Sequence, residues 1–371
     1  MTEHVFDIVV IGAGMAGASA AACLSQHRRV ALLEAEEAAG YHTTGRSAAL
    51  WTANYGPPDV RLLTRLSRAF FETPPEGFAA APLMRQRPVL FLATEKQLPE
   101  LEQALTQGSG LRRVTPAEAR AMLPPLRPEY AASAAVEDDA FDMDVSAIHQ
   151  GFLRQLQIRN GVLAPRHRAG RIARVSGAWH IETSAGAVFQ AGVIVNAAGA
   201  WGDEVAAMAG AAPIGLLPKR RTAAIVNPQP WDAEHWPMTL DVSEQWYARP
   251  EARTRLMVSP ADETISFPHD VQPEEIDIAL GIARMQEALA IEVRRVEHSW
   301  AGLRTFTPDG GFCFGWDHAV EGFFWCAGQG GYGIQTAPAA GSLVADLLLG
   351  RDPGEARAAI ALIDPARFRA A

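Results

Sequence analysis

The sequence predicts an α/β nucleotide-binding domain of the Rossmann type, combined with an α+β domain whose sheet is mostly antiparallel. This prediction depends on an apolar run that enters a glycine-rich turn, on two later apolar runs that end in small residues, and on short strand-like segments between them. The 371 residues are enough for two domains. Charged residues make up 20% and hydrophobic residues 48%, which excludes a disordered chain.

Charge and cysteine content exclude several classes of protein. The net charge is −9, whereas binding to nucleic acid or to an anionic membrane requires a basic face. Three scattered cysteines are too few for a disulfide framework, and the histidines show no metal-ligand spacing, so no metal site is expected. No apolar run is long enough for a signal peptide or a membrane span. We therefore expect a cytoplasmic protein without a membrane span.

The first element is a strand, turn and helix at the N-terminus. Residues 6–11 are apolar except for Asp7, and the uninterrupted run Ile8–Ile11 is what a strand buried on both faces requires. It enters a G-x-G-x-x-G turn formed by Gly12, Gly14 and Gly17, and a helix of small residues follows over 18–24. The glycines permit a tight turn, a close approach of pyrophosphate and close helix–strand packing. The helix N-terminus favours phosphate through its free N–H groups.

The second strand, Val30–Leu33, ends in Glu34. An acidic side chain at this distance from the glycines accepts hydrogen bonds from a ribose diol. A carboxylate there, followed by Glu36 and Glu37, repels a 2′-phosphate, so an NADP-type ligand is disfavoured. The motif indicates a dinucleotide but does not say which one.

Three further segments extend this pattern. Residues 40–49 form a polar, glycine-bounded loop in which Arg46 and Ser47 can reach further phosphate oxygens. Residues 193–201 form a strand that ends in small residues and turns into a helix over 203–209. The strand Phe323–Ala327 runs into a glycine-rich loop and a helix over 334–349. Each of the last two segments alone is common in α/β proteins.

Together these motifs resemble the D-amino acid oxidase superfamily of FAD-dependent oxidoreductases. The similarity lies in the G-x-G-x-x-G with Glu34, in G-R-S-A-A at 45–49, in V-N-A-A-G-A-W at 195–201, in T-P-D-G at 307–310 and in G-Q-G-G-Y-G-I-Q-T at 328–336. Within it, G-Y-H-T-T at 40–44, P-K-R-R at 218–221, H-D-V-Q-P-E at 269–274 and W-A-G-L-R at 300–304 are most similar to bacterial FAD-dependent D-arginine dehydrogenases. The resemblance covers about residues 5 to 345.

The resemblance implies a D-amino acid oxidase-like fold with a discontinuous FAD-binding domain. We assign residues 1–80, 145–215 and 300–371 to that domain, and residues 81–144 and 216–299 to the substrate-binding domain. The segments 239–248, 255–259 and 265–268 read as short strands of the latter.

The predicted cofactor is noncovalent FAD. The residues expected to contact it come from all the motifs above: Gly12, Gly14, Met15, Ala16, Gly17, Glu34, His42, Thr43, Thr44, Gly45, Arg46, Ser47, Ala48, Ala49, Arg168, Ala198, Gly199, Trp201, Gly302, Arg304, Gly330, Gly331, Tyr332, Gly333, Ile334 and Gln335.

Oxidation of an amino acid at Cα requires an anchored carboxylate, a neutral amine and a correctly aimed Cα–H. All but two of the 33 lysines and arginines are arginines, which bind carboxylates in a bidentate manner. The resemblance singles out Arg304 as the clamp, Tyr247 as its partner and Arg221 as a neighbour. It also aligns Tyr55 with a tyrosine on a mobile loop over the site, and it gives the Gly331 carbonyl as an acceptor for the substrate amine.

The side-chain pocket departs from the D-arginine enzymes. The glutamate that holds the guanidinium there corresponds to Val89, and the loop histidine corresponds to Leu50. A buried cation without a counter-charge is costly. We therefore predict D-amino acids with apolar or small side chains, in a pocket formed by Leu50, Thr52, Val89, Met238, Leu240 and Ile334.

The electron acceptor and some alternatives stay open at this stage. The strand 255–259 lacks the lysine that activates oxygen in sarcosine-oxidase-like members, and no cysteine near Arg304 can bind flavin covalently. These absences favour a dehydrogenase that passes electrons to a quinone or another acceptor, although oxidase activity is not excluded. A secondary amine such as sarcosine, glycine, or a 2-hydroxy acid fits the same clamp. A non-catalytic flavin protein and an NAD enzyme agree less well with the motifs. The acidic cluster at 137–139 reads as a solvated turn.

Overall fold

The computed structural model describes residues 3–368. The strands up to the middle of the chain are β1 (Glu3–Val5), β2 (Ile8–Ile11), β3 (Val30–Leu33), β4 (Leu50–Trp51), β5 (Met84–Gln86), β6 (Val89–Ala93), β7 (Leu111–Val114), β8 (Ser133–Glu137), β9 (Phe141–Met143), β10 (Val162–Ala164) and β11 (Ala169–Val175). The later strands are β12 (Ala178–Thr183), β13 (Val188–Ala191), β14 (Val193–Asn196), β15 (Leu217–Val226), β16 (Met238–Asp241), β17 (Tyr247–Ala252), β18 (Arg255–Ser259), β19 (Thr264–Ile265), β20 (Val296–Phe306), β21 (Cys313–Trp316) and β22 (Phe323–Ala327).

The helices connect these strands. They are α1 (Met15–Leu24), α2 (Pro58–Glu72), α3 (Leu98–Gln107), α4 (Pro116–Met122), α5 (Val145–Ile158), α6 (Gly202–Met208), α7 (Glu275–Ala288), α8 (Ala337–Leu349) and α9 (Ile360–Ile363). Short 3₁₀ segments lie at Glu95–Gln97, Gly199–Trp201, Gly354–Ala359 and Pro365–Phe368. In the part of the chain described here, no helix is both long and apolar enough to cross a bilayer.

A six-stranded sheet with the order β10-β3-β2-β14-β22-β21 forms the centre of the nucleotide-binding part. Its first five strands are parallel, and β21 runs antiparallel to β22. The β2 side chains alternate between two cores, because successive residues of a strand point to opposite faces. Ile8 and Val10 pack with α1, α5 and α8, whereas Val9 and Ile11 pack with the four-stranded sheet β1-β13-β12-β11. Burial on both faces explains the continuous apolar run that marked this strand.

Element boundaries differ from the sequence prediction in understandable ways. Helix α1 begins at Met15, three residues earlier than expected, and the Thr44 hydroxyl accepts the Met15 N–H at 2.9 Å. Helix α8 begins at Ala337 instead of 334, because the glycine-rich loop continues through turns to Thr336. The segment 239–248, predicted as one strand, is two. The Asp241 carboxylate accepts the backbone N–H groups of Gln245 and Trp246 and so closes a turn between β16 and β17.

A mixed nine-stranded sheet forms the second part, with the order β19-β15-β18-β17-β16-β6-β8-β7 and with β20 paired to β15. Only β16 and β6 are parallel neighbours; the other pairs are antiparallel. The long β15–β20 ladder carries the functional side chains, since it sets Arg221 opposite Gly302 and Lys219 opposite Arg304. Strand β20 crosses residue 300, so one continuous strand spans a predicted domain boundary. The domain boundaries given above remain a prediction.

Candidate active site

Two cavities meet at the junction of the two large sheets. The inner cavity, of about 420 Å³, runs along the ends of β2, β3 and β14, and the outer cavity, of about 460 Å³, lies over β6 and β16. The residues of their shared wall are Ser47, Ala48, Arg221, Tyr247, Arg304, Gly331 and Ile334. A ligand in the inner cavity and one in the outer cavity would therefore meet at Arg304.

The glycine-rich turn forms one end of the inner cavity. Gly12 has φ +103°, and a Cβ there would lie 2.4 Å from the Ala197 carbonyl oxygen. A Cβ on Gly17 would lie 1.8 Å from the Gly12 carbonyl oxygen. Only glycine fits at both positions, so the backbone of the turn and the start of α1 stay open toward the cavity.

Glu34 lies at the end of β3 and lines the inner cavity. Its carboxylate oxygens accept the N–H groups of Ala13 at 3.1 Å and Glu36 at 2.9 Å. Burial raises the pKa of this carboxyl, although these hydrogen bonds oppose the shift. Each oxygen keeps an acceptor position for a ligand hydroxyl, and the binding of a ribose by Glu34 stays a prediction.

His149, which no sequence motif singles out, supports the same turn. Its buried Nε2 donates to the Ala13 carbonyl oxygen at 2.9 Å in the tautomer that carries the proton on this nitrogen. The ring also lies close to Gly40, because a Cβ added to Gly40 would be 2.9 Å from the ring atom Cε1. Burial lowers the pKa of the imidazole. The neutral ring therefore holds the turn in place. A lone histidine on an amphipathic helix carries no sequence signal for such a role.

Arg46 differs from its expected role. Its guanidinium donates to the carbonyl oxygens of Val271 and Ala301, each at 3.0 Å, and pairs with Asp270. These contacts turn it into a clamp between the 40–49 loop and the H-D-V-Q-P-E segment, and leave it no evident role as a phosphate ligand. His42 lines the cavity, bonds Glu36 at 3.1 Å and packs on Trp201.

Thr305 is a cavity residue that sequence reasoning missed. It is 6% exposed, its Oγ1 has no hydrogen-bond partner in the described structure, and it lines the inner cavity. A buried hydroxyl without a partner is costly. Its position indicates that a polar ligand atom completes its bonding.

Arg304 lies in the shared wall and is partly buried. Its Nη1 donates to the Tyr55 hydroxyl at 3.3 Å, and among residues 3–368 it forms no ion pair with a carboxylate. A Cβ on Gly331 would lie 3.0 Å from the same Nη1, so glycine is needed there to leave the guanidinium accessible. A cation in a cavity wall without an anionic partner is a binding site for an anion.

Tyr247 and Arg221 complete the anionic site. Burial acts to raise the pKa of Tyr247, but the guanidinium groups of Arg304 and Arg221 outweigh it and hold that pKa below its usual range. Arg221 donates to the Asp262 carbonyl oxygen at 2.9 Å and to the Glu263 carboxylate at 3.1 Å. Because Arg221 is already paired, Arg304 carries the available positive charge.

The outer cavity has an apolar side and a polar side. All six residues predicted for the substrate pocket line it: Leu50, Thr52, Val89, Met238, Leu240 and Ile334. Opposite them, helix α3 contributes Glu100, Gln103 and Gln107, and the β16–β17 turn contributes Glu244. These polar residues are separated from Val89 along the sequence, and no motif identified them. Burial raises the pKa of Glu244, and the positive charges of Arg221 and Arg304 act against this rise.

Most of the predicted cofactor residues line the inner cavity, and five do not. Gly17 and Gly45 shape the backbone, the latter through a 2.7 Å hydrogen bond to the Gly40 carbonyl oxygen. Tyr332 packs on the ring of Tyr55. Ala49 and Gln335 line the outer cavity instead, and the Gln335 amide donates to Thr64. Tyr55 likewise lines only the outer cavity.

The prediction of a solvated turn at 137–139 agrees with Asp138 and Asp139, which lie in an exposed bend, but is wrong for Glu137. Asp138 and Asp139 are exposed and pair with Arg112 and Arg68. Glu137 is 1% exposed and is bonded to the loop that carries Tyr55. Glu137 is the last residue of β8 and is buried with that strand, whereas Asp138 and Asp139 lie in the bend that follows it.

Residues 7–347 match the family model described as FAD dependent oxidoreductase, abbreviated DAO. The chain belongs to the DAO family of FAD-dependent oxidoreductases. Among curated proteins, FAD-dependent oxidoreductase domain-containing protein 1 of Bos taurus is 24% identical over 403 aligned residues, which cover 92% of this chain and 81% of that protein. The protein of the same name from Xenopus laevis is 28% identical over 176 residues, 42% of this chain and only 34% of that protein.

Solved structures share the fold of this DAO-family chain. Glycine oxidase from Geobacillus kaustophilus has a TM-score of 0.81 at 21% identity, over 94% of this chain and 96% of that one. L-proline dehydrogenase from P. horikoshii has a TM-score of 0.84 at 20% identity, over 99% and 98%. Both likenesses confirm the predicted fold class.

The inner cavity of this DAO-family chain fits FAD. Gly12, Gly14 and the start of α1 offer backbone to the pyrophosphate, Glu34 offers acceptors to a ribose, and Thr305 offers the buried hydroxyl that lacks a partner. Of the three cysteines, Cys313 and Cys326 are buried, and neither these nor Cys23 line the cavity. This agrees with noncovalent binding.

His149 gives a test by pH. Because its folded-state pKa lies below the unfolded value of about 6.5, the unfolded chain takes up its proton first as the pH falls. The free energy of unfolding therefore decreases as the pH falls from about 6.5 through the folded-state pKa of His149. We expect the thermal midpoint to fall less between pH 7.5 and 5.5 in His149→Gln than in the wild-type protein. The exposed His235→Gln is the control, and an unchanged slope in His149→Gln would contradict the assignment.

Proposed function

We propose that this FAD-dependent oxidoreductase oxidises D-amino acids with apolar or small side chains to 2-oxo acids and ammonia. The observation that carries the proposal is Arg304, whose guanidinium lies where the two cavities meet and forms no ion pair with a carboxylate in the described part of the chain. FAD, when bound, supplies the two-electron oxidant that accepts the Cα hydride. The imine product then takes up water to give the 2-oxo acid and ammonia.

The chain itself binds and orients the substrate. Arg304 holds the carboxylate through two parallel N–H donors, and the Tyr247 and Tyr55 hydroxyls add further hydrogen bonds. The carbonyl of Gly331, in the same wall, accepts an N–H from the neutral substrate amine. With carboxylate and amine fixed, the remaining freedom of Cα is small, which is what positions Cα–H toward the inner cavity.

The outer cavity determines which side chain is accepted. Val89 is 2% exposed and lies among Leu50, Met238 and Leu240, so a cationic side chain directed at this wall would lose its hydration without gaining a partner. Glu244 does not compensate, since Arg221 and Arg304 already act on its charge. The D configuration is supported by the motifs similar to D-arginine dehydrogenases.

The decisive experiment is anaerobic reduction of the purified protein. D- and L-amino acids, glycine, sarcosine and 2-hydroxy acids are added one at a time while the visible flavin absorbance is followed. Bleaching by D-leucine or D-methionine supports the proposal. Bleaching only by L-amino acids, glycine, sarcosine or hydroxy acids would replace it with one of those activities, and no bleaching by any compound would indicate a non-catalytic flavin protein. Readmission of oxygen then separates an oxidase from a dehydrogenase that needs a quinone or another acceptor.

Val89 tests the pocket. In Val89→Glu we expect the kcat/KM ratio of D-arginine to D-leucine to rise by about 100-fold, since a desolvated charge pair is worth a few kcal/mol. The measurement is steady-state kinetics with both substrates. Val89→Gln is the control, because glutamine has the size of glutamate without its charge. The control is needed for stability as well, since position 89 lies directly across the sheet from Glu137 and a second carboxylate there would affect folding as well as substrate binding. An unchanged ratio in Val89→Glu would remove Val89 from the pocket.

A further inference from the structure

We propose that Glu137 is a positioning residue for substrate binding, because it fixes the loop 52–56 so that the Tyr55 hydroxyl stands beside Arg304. The inference rests on the proposed function, in which Arg304 and Tyr55 bind the substrate carboxylate. Glu137 itself lines neither cavity. It therefore acts through the loop and does not touch the ligand.

Both carboxylate oxygens of Glu137 are directed at this loop. One accepts the Thr52 hydroxyl at 2.7 Å, and the other accepts the Ala53 N–H at 3.1 Å. Within residues 3–368, Glu137 has no ion-pair partner, and its side chain is buried at the end of β8. Hydrogen bonds to two successive loop residues offset part of the cost of burying this charge: burial raises the pKa of the Glu137 carboxyl, and the bonds from Thr52 and Ala53 oppose that shift.

The bonding continues from Thr52 toward Tyr55. The Thr52 hydroxyl oxygen accepts the Asn54 N–H at 3.2 Å, which closes a small turn. The Asn54 side chain exchanges two hydrogen bonds with the Ser109 backbone, at 2.9 and 2.7 Å. Residues 52–54 are therefore held on both sides, and Tyr55 is the next residue along the chain.

Tyr55 has little room for another position. Its hydroxyl lies 3.3 Å from Arg304 Nη1, its ring packs edge-on against Tyr332 with centroids 4.9 Å apart, and its hydroxyl is 3.2 Å from where a Gly331 Cβ would be. A shift of the loop by about 1 Å would break the hydroxyl contact. Correct placement of residues 52–54 is therefore a condition for a complete carboxylate site.

Glutamine at position 137 reproduces only part of the bonding. It has one acceptor oxygen where the loop uses two, so when that oxygen accepts the Ala53 N–H the amide group can only donate to the Thr52 oxygen, and the Thr52 hydroxyl proton loses its buried acceptor. We expect Glu137→Gln to raise the dissociation constant of a carboxylate ligand about tenfold, because the loop that carries Tyr55 loses a hydrogen bond to a charged group. The change in KM should exceed the change in kcat.

The test is a double-mutant cycle on the FAD-loaded protein. Benzoate, a simple carboxylate, is titrated into wild type, Glu137→Gln, Tyr55→Phe and the double variant while the flavin absorbance is followed, and D-leucine kinetics are measured in parallel. If Glu137 acts through Tyr55, the double variant binds benzoate no more weakly than the weaker single variant. Glu137→Asp, which restores two carboxylate oxygens, should recover part of the affinity.

Each outcome has a distinct meaning. Additive effects of the two substitutions, or wild-type affinity in Glu137→Gln, would overturn the positioning role while leaving the proposed function intact. Failure of wild-type protein to bind benzoate or to oxidise D-leucine would overturn the proposed function, and with it the inference. Asp138→Asn neutralises the adjacent exposed carboxylate and should behave like wild type. FAD content and thermal midpoint are recorded for every variant. If Glu137→Gln lowered both of these while its dissociation constant for benzoate stayed unchanged, the role of Glu137 would be purely structural and the inference would be overturned.

Discussion

Replacement of Arg304 by leucine is expected to lower kcat/KM for D-amino acids by about 10³-fold while FAD stays bound. Removal of one partner of a buried, hydrogen-bonded charge pair costs 2–5 kcal/mol or more, and each 1.36 kcal/mol is a factor of ten. The loss should appear in KM and in kcat, because the guanidinium both binds the carboxylate and aligns Cα. The other cation in the shared wall, Arg221, is paired with Glu263, so among residues 3–368 Arg304 supplies the unpaired positive charge there.

Two further variants separate charge from geometry. Arg304→Lys keeps the positive charge but loses the two parallel donors, so it should recover only part of the activity. Arg171→Leu removes an exposed arginine of β11 that pairs with Glu182, and it should leave the kinetics unchanged. If Arg304→Leu retained wild-type kcat/KM with D-leucine, the carboxylate would have to bind elsewhere, and the proposed function would lose the observation that carries it.

Replacement of Gly17 by alanine is expected to weaken FAD binding by about 10- to 100-fold. The new Cβ would overlap the Gly12 carbonyl oxygen, which is fixed by the turn, so α1 and the turn have to separate. Overpacking of this kind costs about 1–3 kcal/mol. That distortion falls on the backbone that faces the pyrophosphate, so cofactor affinity is lost before the rest of the sheet is disturbed.

The measurement is the flavin-to-protein absorbance ratio after dialysis, followed by titration of FAD into the apoprotein. Gly192→Ala is the matched control, because a Cβ there would meet only the Asp7 carbonyl oxygen at an ordinary 3.6 Å, beside the same sheet. Similar FAD affinity in Gly17→Ala and Gly192→Ala would contradict the role assigned to the turn. The thermal midpoints of the two apoproteins show whether the variant is folded.

Local sequence patterns were sufficient to predict the nucleotide-binding half of the site. Gly12, Gly17 and Glu34 are close in sequence, and a strand–turn–helix gives them one geometry wherever it occurs, so their placement follows from spacing alone. Helix ends were less predictable. The turns before α8 and the Asp241 turn depend on side chains that choose between competing backbone hydrogen bonds.

The sequence by itself determined the family, the cofactor and the motif that contains Arg304. Only the tertiary structure decided how the charges are partnered. Arg46 was expected to bind phosphate but is bonded to Val271, Ala301 and Asp270, whereas Arg304, which its motif singled out, forms no ion pair with a carboxylate among residues 3–368. Glu137 looked solvated and is buried against the Tyr55 loop. The physical reason is that the role of a charged side chain depends on the groups within a few ångströms of it. For Arg46 and Arg304 those groups include residues more than 200 positions away in the chain, which only the tertiary structure brings close.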